Sequence, residues 1–335
     1  MAEMSFTRKT LIMAAAIALG ILFWLLADVF ALAFGMVVVA ATLDAIMRPV
    51  VRRTGWPRRI VLALVLFALV AILSLFFWFA GASIAEQLQT LRQTLPDAAK
   101  AALDWLRNSS LGPVVSSAQE GLQEKGVPWG GLASAASLTV GALSAVTLAI
   151  IMGIYLAADP DLYRRGLLRL FPVDYRPRLR RGLDAASQGL HRWLLGQFCS
   201  MAAVGLMTAI GLWALDMPLA AVLGLIAALL AFVPFFGPIV AGILAVMLAF
   251  TEGPMDALYV ALLFLGIQQV EGDVLMPMLQ RWAIRLPPIL GLMSVVVFSI
   301  LFGLPGVVLA TPMIIVVMVL VQKLYVEDVL EDGRL

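Results

Sequence analysis

The sequence predicts an all-α, polytopic membrane protein, and three observations carry that reading. Of its 335 residues, 62% are hydrophobic and only 13% are Asp, Glu, Lys or Arg, against about 45–50% and about 25% in soluble domains. Apolar runs of roughly 17–25 residues recur along the chain, the length that crosses a bilayer as a helix. These runs do not alternate polar with apolar, as barrel strands must, and lipid offers backbone groups no partners. The expected architecture is about eight spans plus a re-entrant broken-helix pair, with a small external helical subdomain.

Taken in order, Arg8 and Lys9 precede an apolar run over 11–27, and a second run over 29–43 follows Asp28. A basic start before an apolar core resembles a signal peptide. The immediate second run favours a retained signal-anchor helix with its hairpin partner over a cleaved leader. Further single spans are expected at 60–82, 138–157, 196–215, 255–270, 287–303 and 305–322.

Arginine placement sets the expected orientation. Arg48, Arg52, Arg53, Arg58 and Arg59 crowd the 44–59 loop. Arg164, Arg165, Arg169, Arg176, Arg178, Arg180, Arg181 and Arg192 crowd the 158–195 segment. Two spans separate each basic region from the next, so all three fall on the cytoplasmic side; a re-entrant pair over 219–250 keeps both termini there, whereas a single kinked crossing would put Arg281 and Arg285 outside. The 83–137 segment then lies outside. Its charges balance, and Ile84, Leu88, Leu91 and Leu95 recur at helical spacing, which predicts a short amphipathic helix ended or kinked by Pro96.

The expected divisions are therefore an N-terminal membrane hairpin and third span over 1–82, an external helical subdomain over 83–137, and a fourth span over 138–157. A basic cytoplasmic helical segment follows over 158–195, then a C-terminal membrane transport core with broken helices over 196–323 and a cytoplasmic tail over 324–335.

Residues 219–250 are apolar but interrupted by FVPFFGP. As one helix they would measure about 48 Å, too long for one crossing and too short for two. With Pro234, Gly237 and Pro238 around Phe235, the VPFFGP stretch cannot continue a regular helix, so a re-entrant pair of half-helices is expected. Broken half-helices can present backbone dipoles and carbonyls to a substrate at mid-membrane. They can equally be a turn buried in protein. A second break, FGLPGVVLATP, holds Gly303, Pro305, Gly306 and Pro312.

The stretch LFLGIQQVEGDVLMPML places Gln268, Gln269, Glu271 and Asp273 among apolar residues. A carboxylate at the centre of a lipid-facing helix costs roughly 2.5–3.5 kcal/mol, so it should face protein or water. Glu271 is expected to line a hydrated polar path beside Gln268 and Gln269, with Pro277 bending the helix beyond. The alternative puts Glu271 and Asp273 at the cytoplasmic interface, paired with Arg281 or Arg285.

Other chemistries find little support. The chain has no HExxH and no GxxxxGK[ST]. The single histidine, His191, lies in the basic segment, and the single cysteine, Cys199, excludes an internal disulfide. No enzyme, cofactor, metal site or nucleic-acid partner is expected. The leading reading is a secondary transporter that moves a small polar solute across the membrane. One alternative is a monovalent cation/proton antiporter, which usually needs several intramembrane carboxylates. Another is a non-transporting scaffold whose 164–181 segment binds anionic lipid or protein.

FVPFFGPIVAGI, QQVEGDVLMPML, RLPPILGLMSVVVFSILFGLPGVVLATP and KLYVEDVL resemble the autoinducer-2 exporter family of bacterial permease-like proteins. The layout of the whole chain is similar to that family, and the motifs after residue 232 are the specific part. The resemblance implies a multispanning inner-membrane exporter of autoinducer-2, or in some members sodium or lithium extrusion against protons, working as a ring-like homo-oligomer, a pentamer. The family pattern falls on Pro234, Gly237, Gln269, Glu271, Pro277, Pro287, Gly303, Gly306 and Pro312. Asp273 departs from it, since family members more often carry Asn there.

Overall fold

The computed structural model describes residues 21–22, 24–108, 131–234, 236–280 and 287–331. Every regular element among the described residues is helical. In chain order these are α1 (Ala27–Thr54), α2 (Arg58–Asn108), α3 (Gly131–Ala158), α4 (Pro160–Arg169) and α5 (Arg176–Ala214). The half-helices α6 (Ala220–Leu230) and α7 (Phe236–Ala249) follow, then α8 (Pro254–Val270), a π-helical turn (Glu271–Leu275), α9 (Met276–Gln280) and α10 (Pro288–Val321). A second π-helical stretch, Gln322–Glu331, ends the described chain.

Five of the described helices are long and apolar enough to cross a membrane, or six if the bent pair Leu143–Ala158 and Pro160–Arg169 counts as one span. The described residues therefore do not confirm the expected eight. Most of the first expected span, 11–20, lies outside the described residues, and the expected pair 287–303 and 305–322 is present as two helical arms that meet at the non-helical Gly303. The helices are greasy on their outer surfaces: within the span Arg58–Trp78 only 17% is buried. Such exposure is what lipid, not water, accommodates.

One sequence expectation is corrected outright. Pro96 does not end a helix, because α2 runs unbroken through it for 51 residues to Asn108. Tertiary contact outweighs the proline here. Leu91 and Ala98 are buried in the cluster that also holds Ala241, Ala245 and Leu248 of α7, and the Trp105 ring lies 5.4 Å from that of Phe250. The remainder of the expected external subdomain, 109–130, lies outside the described residues.

The residues group into two compact units. One comprises Met1–Asp44, Leu143–Leu190 and Leu286–Leu335; the other comprises Ala45–Ala142 and His191–Arg285. In the first, Phe302 and Met313 pack on Ala27 and Ala31, and Gly153 lets α3 approach Val39 of α1 closely. In the second, α5, α6, α7 and α8 build one apolar core.

Both expected breaks are present as hairpins of half-helices. A Cβ at Gly237 would run into the carbonyl of Leu230, seven residues earlier. Within a straight helix those positions would be about 10 Å apart along the axis. The chain must therefore fold back between α6 and α7. Gly306 stands in the same relation to the carbonyl of Phe298, eight residues earlier. There the reversal is made at Gly303, whose φ of 63° and ψ of −142° suit glycine alone.

Candidate functional site

The second unit holds the residues that the sequence singled out most strongly. Helix α5 is its organiser. Trp193, Gln197, Ser200, Val204 and Thr208 follow one another at spacings of three and four, so they share one face, and all five are buried. That face touches both the break and the carboxyl group.

At the break, α6 ends near Ala231, where a helix leaves carbonyls without partners. Gln197 Nε2 donates to the Ala231 carbonyl at 2.7 Å inside the protein. The Trp193 ring meets Phe232 edge-on at 5.9 Å. Of the predicted break residues, Gly237 and Pro238 are buried and Pro234 is half-buried, while Phe235 lies outside the described residues. One carbonyl at the break is thus already taken by a side chain and is not open to a substrate.

One turn further along α5, Ser200 Oγ donates to Glu271 Oε1 at 2.8 Å. Gln268 Nε2 donates to the other carboxylate oxygen at 3.3 Å, from one turn back on α8. Glu271 is 8% exposed, and these neutral groups are its hydrogen-bonding partners among the described residues. The span Pro254–Met278 has Gly266 at its middle, and Glu271 lies five residues beyond. That is roughly 8 Å along the axis, inside the ~15 Å half-thickness of a bilayer core.

Asp273 behaves differently. Two positions on, it points to the opposite side, is exposed, and accepts from Gln269 Nε2 at 2.6 Å. The π-helical turn begins at Glu271. Such turns widen the helix by one residue and recur at functional sites. Arg281 and Arg285, the alternative partners for these acids, lie outside the described residues.

Close helix contact holds the frame. Gly205 of α5 faces Ala228 and the Gly224 carbonyl of α6, while Gly224 faces Ala209 and the Gly205 carbonyl. Each helix thus offers a small residue every fourth position, the pattern that lets membrane helices approach backbone to backbone. Gly211 similarly receives the Leu263 side chain of α8. The turn from α5 into α6 is tight, with positive φ at Asp216 and Leu219.

The remaining predicted hinges lie apart from this cluster in the chain. Pro277 sits exposed in α9, just after the π-helical turn. Pro287 caps the start of α10, and Gly303, Pro305, Gly306 and Pro312 lie within it. Sequence reading missed Gln197, Ser200 and Thr208. With Val204, they recur at three- and four-residue spacing along the apolar second half of α5, which marks a shared face but not what that face meets.

The comparisons with known proteins agree with this frame. Over 305 residues the chain is 24% identical to "Putative transport protein YueF" of Bacillus subtilis, covering 85% of this chain and 82% of that protein. It is 26% identical over 293 residues to "Putative transport protein MT0215" of Mycobacterium tuberculosis, covering 82% and 78%. A match to "Putative transport protein YrrI" of Bacillus subtilis, 25% identical over 158 residues, spans 47% of this chain and 45% of that protein. The profile described as AI-2E family transporter matches residues 11–325, nearly the whole length, and the chain belongs to that family of membrane transporters.

Proposed function

We propose that this chain is a secondary transporter that exports a small polar solute, of the autoinducer-2 kind, across the bacterial inner membrane. In this reading both termini are cytoplasmic, 83–137 is external, and copies assemble into a ring-like homo-oligomer. The observation that carries the reading is Glu271. A carboxyl group at membrane depth, held by neutral donors from two helices and set on a π-helical turn, is expensive to keep unless it serves the cargo. Gln268 beside Glu271, and Ser200 and Gln197 on the facing side of α5, form a polar line that leads from the carboxyl group to the broken helix end near Gly237. Glu271 binds the solute directly or carries the proton that drives its export.

Monovalent cation/proton antiport is the second reading. It is weakened by the exposure of Asp273, which leaves Glu271 as the buried carboxyl of this region. Proteoliposomes containing the full chain, given an imposed pH gradient, separate the readings. Export of autoinducer-2 without sodium flux supports the first; sodium flux alone supports the second; no flux of either supports a scaffold.

A further inference from the structure

We propose that the arginine groove between α4 and the start of α5 is a binding site for the phosphate headgroup of an anionic membrane phospholipid. Arg165, Arg169, Arg176, Arg180 and Arg181 line a cavity of about 470 Å³. Leu168 and Pro177 supply an apolar wall to the same cavity. Charge and grease meet in one groove, as a headgroup with its glycerol backbone requires.

Two of the guanidinium groups are placed in advance. Arg165 Nε donates to the Asp161 carbonyl at 3.1 Å. Arg176 Nε donates to the Phe171 carbonyl at 3.0 Å. Those bonds fix the side chains without neutralising their charge. The nearby carboxylate of Asp184 is engaged by Arg164, outside the groove. A planar fork of donors suits a phosphate diester better than an isolated ammonium does.

The occupant is a lipid because of how α4 lies. It is bent by 89° from the span Leu143–Ala158. A helix at right angles to a crossing helix runs along the membrane surface. Tyr163, Leu167 and Leu170 fall on one face of α4 at spacings of four and three, and Leu170 is 79% exposed. Phe171, Val173 and Tyr175 extend this exposed apolar edge beyond the helix. An amphipathic helix with one apolar face and a basic groove beside it is the arrangement that lies at a bilayer interface. A free phosphate ion would use the arginines but leave that edge without a purpose.

The test uses the full chain in zwitterionic-lipid nanodiscs, titrated with phosphatidylglycerol, with retained lipid counted by native mass spectrometry. Arg169→Gln/Arg180→Gln should weaken phosphatidylglycerol binding roughly thirty-fold, at about five-fold per surface arginine. Arg52→Gln/Arg53→Gln removes the same charge from another basic region and should leave binding within about two-fold of wild type. If the groove variant aggregates, Arg180→Gln alone carries the test, with the five-fold loss expected. Equal losses in groove and control variants would mean a diffuse positive surface and overturn the proposal. So would inorganic phosphate that displaces the lipid as effectively as added phosphatidylglycerol does, since the site would then be one for a free anion.

Discussion

Ser200 Oγ lies 2.8 Å from Glu271 Oε1, a bond between two buried side chains 71 residues apart in sequence. This bond gives the carboxyl group a partner that carries no charge of its own. An arginine there would lock Glu271 into a permanent ion pair, whereas a hydroxyl leaves it able to exchange a proton or meet a solute. Structure and proposed function meet at this contact.

The first prediction follows from that bond. Ser200→Ala should cost about 1–3 kcal/mol, the penalty for a buried polar group losing its partner. Ser200→Ala and Glu271→Gln should be non-additive, because they share one interaction. Thermal unfolding of the two single variants and the double variant in detergent measures this. Strictly additive shifts would mean that the two side chains do not communicate.

Gln197 invites a separate experiment. Replacing it with leucine keeps much of its bulk but leaves the Ala231 carbonyl unpaired at the end of α6. A loss of about 1–3 kcal/mol is expected. Hydrogen exchange should rise first at the amides of Phe232 and Val233, which bond within the same turn. Unchanged exchange there would show that Gln197 is not what holds the break.

Glycines on α5 and α8 make a controlled contrast. A Cβ at Gly205 would sit 2.6 Å from that of Ala228, whereas one at Gly266 would meet nothing within 4 Å. Gly205→Ala should destabilise by about 1–3 kcal/mol through overpacking. Gly266→Ala should be neutral or stabilise by up to ~1 kcal/mol, the helix-propensity gain. Thermal midpoints of the two variants decide it; a reversed order would discard the close packing of α5 on α6.

The two hairpin reversals predict a graded response. Gly237→Ala and Gly306→Ala would each drive a methyl group into a backbone carbonyl that cannot swing away. Both should greatly reduce the monodisperse yield. Gly303→Ala meets no neighbour, and its cost is backbone strain of about 1–3 kcal/mol. Size-exclusion profiles should rank it as the mildest of the three.

The all-helical membrane fold was legible from the apolar runs, and both hairpins from their prolines and glycines, since only glycine lets two backbones approach as Gly237 and Gly306 do. Span counting was less legible. Length alone does not tell a straight crossing from a helix that bends by 89° after Ala158. Pro96 misled because local propensity says nothing of the packing that Leu91 and Ala98 find on α7. At the site, Glu271 stood out by its cost in lipid, whereas its separation from the exposed Asp273 came only from the structure. Its partner Ser200 was not legible. A serine in an apolar helix is unremarkable until the fold sets it beside an acid far along the chain.

The most direct test of the account is solute flux by the Glu271→Gln variant in proteoliposomes, compared with wild type at matched stability and incorporation. The account predicts that flux of the transported solute is abolished or reduced at least about ten-fold, the effect of roughly 1.4 kcal/mol, while the protein stays folded. Wild-type flux from a folded Glu271→Gln variant would contradict it.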